Sequence, residues 1–273
     1  MTEMTTIGEV CAALHRDGIA ALRGAFSREW AMRMREDIDI AFADAIARPG
    51  GAVPRGPQRY YVEIHPGQLR GYVELVTHPW VAGVCEAVLG ARYEIVELGF
   101  DIPFPGAQDQ PWHRDFASPR ETFEDRRITS LAFNLTAVDA TLEMGPFEIA
   151  PGTQWEEGAQ FANKMFPAEE EWARFRAIAQ QKLPRMGDIS VRSALTVHRG
   201  TANHSTEARP VLVLGVDAPG AGHAALHDQL VTRAEWESFP PLVREHLVCR
   251  VVAQIEPIVQ KHTIDGLLRP ASY

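Results

Sequence analysis

Gly187-Asp188-Ile189-Ser190-Val191-Arg192-Ser193-Ala194-Leu195-Thr196-Val197-His198-Arg199-Gly200 is the stretch on which the fold turns. Apolar and polar side chains alternate along much of 188–196, the pattern of a strand with one buried face. His198 ends the run. Eleven residues later, Arg209 precedes Pro210 and a second apolar run reaching Val216. Asn203-His204-Ser205 between them is turn-like, so a hairpin could bring Arg209 close to His198.

Upstream, the same texture recurs at Tyr93–Leu98, Thr129–Thr136 and Phe147–Ala150, separated by Gly145-Pro146 and Pro151-Gly152. Strands with turns between them and few crossover helices favour a β-sandwich or jelly roll over a parallel sheet. Before residue 91 the pattern is mainly helical. Thr6–His15 carries Ile7, Val10 and Leu14 on one face; Ser27 caps a helix bearing Met34, Ile38, Phe42 and Ile46; Pro79–Leu89 opens on a first-turn proline. Ile19–Leu22 reads as a short strand. Residues 51–70, rich in Gly, Pro and Arg, read as a mobile loop, and Arg55, Arg59, Tyr60, Tyr61 and Arg70 within it make it a candidate lid. The expected layout is one domain over 1–273, mainly β with flanking helices. It has a mostly helical flank at 1–90, a β-barrel core at 91–216 with a helical insertion near 168–180, and a helical tail at 225–273 that includes a Thr232/Glu235 capping box.

Composition narrows the function. The 273 residues, 45% hydrophobic and 23% charged, are ordinary for a globular chain. A net charge of −9 argues against nucleic acid, whose phosphates need a basic face. No apolar run is long enough for a membrane span, and the N-terminus lacks a secretory pattern. The three cysteines have no metal-binding spacing and suit a reducing, cytoplasmic setting. The partner expected on these grounds is a small molecule.

His-Arg-Asp occurs at residues 15–17 and again at 113–115. The first copy ends an amphipathic helix, where Asp17-Gly18 is stop chemistry. The second follows a strand and a turn, and in an extended segment residues i and i+2 point the same way. His113 and Asp115 can therefore meet one metal, as two of the three ligands in the His-carboxylate-His set of non-haem iron(II). A third ligand has to come from a distant strand, and His198 is the best placed. Arg209, buried in a barrel, would need an anionic partner, which a dicarboxylic co-substrate supplies. Two other patterns carry less. Gly220-Ala221-Gly222-His223-Ala224-Ala225 has dinucleotide-binding spacing but too little chain after it for that fold. His223 and His227, four apart, read as surface histidines on one helix.

Taken in order, Asp17–Gly24, Gln110-Pro111-Trp112-His113-Arg114-Asp115, Gly145–Thr153, Gly187-Asp188, His198 and Arg209 resemble the phytanoyl-CoA dioxygenase-like group of iron(II)/2-oxoglutarate oxygenases. The resemblance implies a double-stranded β-helix (a jelly-roll, cupin-like fold). It also implies Fe(II), 2-oxoglutarate and O2 as cofactor and co-substrates, and an oxygenase, hydroxylase in type, releasing succinate. His113, Asp115 and His198 would hold the metal and Arg209 the co-substrate. Where the group has Ser two residues after the distal His, this chain has Gly200, so Thr201 and Thr129 are the candidates to assist Arg209. Met144 replaces the group's Asn before Gly-Pro, and Thr153-Gln154 replaces its Ser-His. Readings from other classes are a non-catalytic β-barrel binding protein or a cupin-like isomerase on the same fold.

Overall fold

The computed structural model describes residues 6–260. In chain order its elements are α1 (Ile7–Asp17), β1 (Ile19–Leu22), α2 (Arg28–Ile46), β2 (Val53–Pro54), β3 (Arg59–Glu63), α3 (Tyr72–Val76), α4 (Pro79–Leu89) and β4 (Glu94–Pro103). There follow α5 (Arg120–Phe123), β5 (Ser130–Thr136), β6 (Phe147–Ile149), α6 (Trp172–Ile178), β7 (Gln180–Lys182), β8 (Ile189–Ser193), β9 (His198–Gly200) and β10 (Val211–Asp217). The described part of the tail holds β11 (Leu230–Thr232), α7 (Arg233–Ser238), α8 (Pro241–His246) and β12 (Arg250–Val252).

Two sheets build the barrel. The larger runs β1-β8-β5-β10-β4-β3-β2, antiparallel at every pairing. The smaller runs β7-β6-β9 and is extended by an isolated bridge from His198 to His113. This is the expected double-stranded β-helix arrangement. Alternation along the large sheet separates two environments. Leu98, Phe100, Ile102, Leu131, Phe133, Leu135, Val191, Leu212 and Leu214 point outward and are buried under the helical layer. Glu97, Asp101, Ala132, Asn134, Thr136, Ser190, Arg192, Val211 and Val213 point inward and line a cavity. A second, smaller apolar cluster of Trp112, Ala150, Phe161, Phe175 and Val197 is drawn from α6 and from the segments beside the strands of the small sheet.

The helical flank forms where its local chemistry predicts. Thr6 and Glu9 complete a capping box on α1, and Ser27 accepts from the Trp30 amide at the start of α2. Gly18 ends α1 in the left-handed region at φ 75°, where only glycine sits without strain. A Cβ there would also lie 2.2 Å from Thr196 Oγ1, so α1 packs directly onto the chain leading to His198.

Two expectations need correction. Residues 51–70 are not a loop, because β2 and β3 within them extend the large sheet beyond β4 and Arg59 is buried. A strand whose inward side chains face a polar cavity lacks the apolar alternation that marks half-buried strands. The flank at 1–90 thus contributes strands to the barrel as well as helices. In the tail, the Thr232/Glu235 capping box is present, but β11 and β12 form a parallel pair beside the helices, and 261–273 lie outside the described residues. No helix among the described residues is long and apolar enough to cross a membrane.

Phe133 is fully buried, edge-on to Trp80 with ring centroids 6.1 Å apart. Phe133→Ala should cost about 3–5 kcal/mol by the lost burial and the cavity left behind. Urea unfolding monitored by circular dichroism measures it, and a cost under about 1 kcal/mol would mean that the helical layer collapses into the gap.

Candidate metal centre

His113 and His198 sit opposite each other on the bridge that widens the small sheet. Each amide donates to the other's carbonyl at 2.9 Å, and the imidazole centroids are 4.4 Å apart. His113 Nδ1 lies 2.8 Å from the Pro111 carbonyl and His198 Nδ1 2.9 Å from that of Thr196. A carbonyl can only accept, so each Nδ1 carries the proton and each Nε2 keeps its lone pair for a ligand. Asp115 follows at strand spacing, with one carboxylate oxygen 3.4 Å from His198 Nε2. Donor atoms of the three residues all lie within 4.8 Å of one another, the grouping that the sequence spacing anticipates.

Electrostatics hold these groups in their ligating forms. Burial, reinforced by the neighbouring His198, pushes the His113 pKa well below the ordinary imidazole value; burial and then Arg192 lower that of His198. Both rings are neutral at physiological pH, as metal ligation requires. Burial opposes ionisation of Asp115, but Arg192 and then His198 outweigh it and keep the carboxyl well below its usual range. Arg192 forks onto Asp115, with Nη1 in close contact with Oδ2 and Nη2 3.3 Å from Oδ1.

Residues adjoining the ligands face the other way and pin the site. Arg114, fully buried, donates to the carbonyls of Glu157 and Thr153. Arg199 pairs with Glu148 at 2.7 Å and lies over the Trp112 ring. Thr153 Oγ1 accepts from the Val197 amide at 2.8 Å, and Gln154 Nε2 donates to the carbonyls of Leu14 and His15, tying α1 to the strand exit.

The ligands open onto a cavity of about 140 Å³. On a measure by which one water needs about 10–15 Å³, that is room for a small organic acid. Arg209 lies in its wall, buried, with Nε donating to the Met144 carbonyl at 3.3 Å. Burial, and then the nearby Arg59, lower its pKa to about 10, so it stays charged at neutral pH. No carboxylate among the described residues forms an ion pair with it. A buried, unpaired guanidinium beside a two-imidazole, one-carboxylate set fits iron(II) and a dicarboxylic acid together.

Residues 14–211 match the phytanoyl-CoA dioxygenase (PhyH) family. The chain belongs to that family. Among solved structures, this family member is similar in fold to EctD from S. alaskensis, a structure with 2-oxoglutarate and 5-hydroxyectoine (18% identity, 80% of this chain, 78% of that one, TM-score 0.62). The epimerase SnoN, in complex with Fe3+, alpha ketoglutarate and nogalamycin RO, is similar at 19% identity (79% and 91% of the chains, TM-score 0.62). AviO1 from Streptomyces viridochromogenes Tue57 follows at 20% identity (81% and 98%, TM-score 0.59). No curated protein matches the chain.

Several site residues of this PhyH-family protein escaped the sequence reading. Neither hydroxyl expected beside Arg209 lines the cavity: Thr201 Oγ1 donates to the Pro146 carbonyl, and Thr129 precedes β5 at the end away from Thr136, which pairs with Val211. His223 and His227 are not surface residues of one helix. A short 3-10 turn, His223–Leu226, separates their roles. His223 stacks on Phe116 and bonds to Asp217, while the His227 side chain is buried, lines the cavity and lies 3.4 Å from Glu63. Tyr61, under the Arg55 guanidinium, bonds to Glu97 across Gly99, where a Cβ would fall 2.5 Å from the Tyr61 hydroxyl.

His113→Ala and His198→Ala should each lower iron(II) or nickel(II) affinity by about 100-fold or more, since even partners that only orient a ligand are worth 10–100-fold. Calorimetric titration of metal into apoprotein reads this directly, and unchanged affinity in both variants would displace the metal from this site.

Proposed function

We propose that this protein is an iron(II)- and 2-oxoglutarate-dependent oxygenase that hydroxylates an unactivated C–H bond of a small molecule, with a natural-product or acyl skeleton as the substrate class. The carrying observation is the convergence on one cavity of His113, Asp115 and His198 with a buried Arg209 that has no carboxylate partner of its own. Family membership supports the same chemistry. In this reading the whole chain works as one catalytic domain. The free state of Cys11, Cys85 and Cys249 suits a cytoplasmic setting.

Bound iron with 2-oxoglutarate and dioxygen supplies an oxidant strong enough for a C–H bond, with succinate and carbon dioxide as the co-products. His113, Asp115 and His198 would hold the metal, and Arg209 would anchor the distal carboxylate of the co-substrate. Arg192 fixes the orientation of the Asp115 carboxylate and takes up part of its charge. Phe116 and Phe147 present aromatic surface to the cavity, and Tyr61 and His227 present polar groups, so a substrate with both characters is oriented there. Asp115 also bears on the outcome. Its carboxylate fills a ligand position and places negative charge where a halide would have to bind, which favours hydroxylation over chlorination.

Arg209→Ala should weaken 2-oxoglutarate binding by a few kcal/mol, the worth of a charge-assisted pair, while leaving metal affinity intact. The wild-type protein with iron and 2-oxoglutarate under oxygen should release succinate. Once a substrate is found, labelled dioxygen should appear in the product. Equal co-substrate affinity in both proteins, or a chlorinated main product in the presence of chloride, would overturn the reading.

A further inference from the structure

Gly200 is a glycine for space, not for backbone freedom. It lies in β9 without a positive φ, yet a Cβ on it would fall 1.9 Å from Arg59 Nη1 and 2.7 Å from Arg59 Cζ. What occupies that space is a guanidinium brought from β3, in the segment that reads as a loop in the sequence. Arg59 is 1% exposed. Its Nη1 reaches Gln110 Oε1 at 3.1 Å and Asp101 Oδ2 at 3.3 Å, and its Nη2 donates to the Thr201 carbonyl at 2.9 Å. Gln110 Oε1 also accepts from the Gly200 amide at 3.0 Å, which locks the arrangement to the strand carrying His198. The Arg59 Nε is buried with no hydrogen-bond partner.

Arg59 and Arg209 share one end of the cavity. Arg59 pairs with Pro103 across β3 and β4, and the Arg209 amide donates to the Pro103 carbonyl from the other side. Two strand spacings of about 4.8 Å therefore separate their backbones, within reach of two long side chains turned to one cavity. Their guanidiniums lean on the same wall. Arg209 bonds the Met144 carbonyl and Arg59 that of Thr201, and Gly145, next to Met144, comes so close to Thr201 that a Cβ there would meet its carbonyl oxygen at 2.4 Å. The two cations share one carboxylate, Asp101, which forms an ion pair with Arg59 and acts on Arg209 from farther off, and its Oδ1 has no hydrogen-bond partner among the described residues. A buried end of a cavity with one positive charge in excess is an anion site.

We infer that Arg59 is a second cationic anchor for the distal carboxylate of the co-substrate, working beside Arg209 in the space that Gly200 leaves open. The inference rests on the 2-oxoglutarate reading above and adds a specificity-determining residue to it. Arg59 acts on the dicarboxylate and not on the metal, because its contacts lie on the wall shared with Arg209.

The test is an anaerobic titration of the iron(II)-loaded protein, followed by the visible charge-transfer absorbance of the complex. Two ligands are compared: 2-oxoglutarate, and 2-oxopentanoate, which has the same carbon chain without the distal carboxylate. Arg59→Ala should weaken 2-oxoglutarate about tenfold or more, the worth of a hydrogen bond to a charged group, and leave 2-oxopentanoate unchanged. Gly200→Ala, which forces Arg59 aside, should give the same selective loss in the wild-type background and no further loss alongside Arg59→Ala. The Gly200 arm reads the proposal even where Arg59→Ala folds poorly. A change in 2-oxoglutarate affinity under twofold, or an equal loss for both ligands, overturns the role of Arg59 while leaving that of Arg209 standing. Failure of the wild-type protein to bind 2-oxoglutarate would remove the functional reading and this inference with it.

Discussion

The rest of the site depends on one pair of backbone hydrogen bonds, those exchanged between His113 and His198 at 2.9 Å. They join a segment that follows β4 to one that follows β8, and in doing so extend the small sheet across the open side of the large one. Once that pairing exists, strand geometry does the remainder. His113 and Asp115 point to one side and Arg114 to the other. The same alternation turns His198 and Gly200 inward and Arg199 outward, onto Trp112 and Glu148. Outward arginines anchor the two ligand-bearing strands to the second apolar cluster, so the imidazoles are held by packing on one face and by the Pro111 and Thr196 carbonyls on the other.

An inward face of this composition is a poor source of stability. Arg59, Arg192 and Arg209 are each buried, and a desolvated guanidinium is costly unless an anion meets it. Arg192 has Asp115, and Arg59 has Asp101; Arg209 has only a carbonyl. The fold carries this because the opposite face of the same strands is almost wholly apolar and packed under α1, α2 and α4. Function and stability are thus divided between odd and even positions of the same strands, which is why a single strand such as β10 reads as apolar in sequence yet borders the cavity with Val211 and Val213.

That division also explains what sequence reading reaches. Elements whose apolar face is local stand close to where their spacing puts them: Ile19–Leu22, Pro79–Leu89 and Val211–Asp217 differ from expectation by at most a residue at either end. The three metal-binding candidates follow from strand periodicity and one distant histidine. Arg59 and Tyr61 stood out only as residues of a candidate lid; their strand was illegible for a physical reason, because it turns a charged and an aromatic residue toward a polar cavity and so shows neither apolar alternation nor a helical stripe. His227 was illegible for another. Its partner Glu63 is far upstream in the sequence, and the 3-10 turn before it removes the helical spacing that the pair with His223 suggested.

The departures from the family pattern look different once their surroundings are known. Met144 meets Arg209 through its backbone carbonyl, so the side chain at that position is free to vary without loosening the arginine. Thr153 and Gln154 keep structural duties, one hydroxyl bracing the Val197 amide and one amide closing the end of α1. Gly200 lacks a hydroxyl, but the volume it gives up is filled by a fixed guanidinium, a stronger partner for a carboxylate than the hydroxyl it displaces. Arg209, buried and without an ion pair among the described residues, sits beside an intact set of metal donors, an arrangement that costs stability until an anion meets the guanidinium. Of these departures only Gly200 bears on Arg59; Met144, Thr153 and Gln154 are accounted for by contacts of their own, and the metal donors are untouched by any of them.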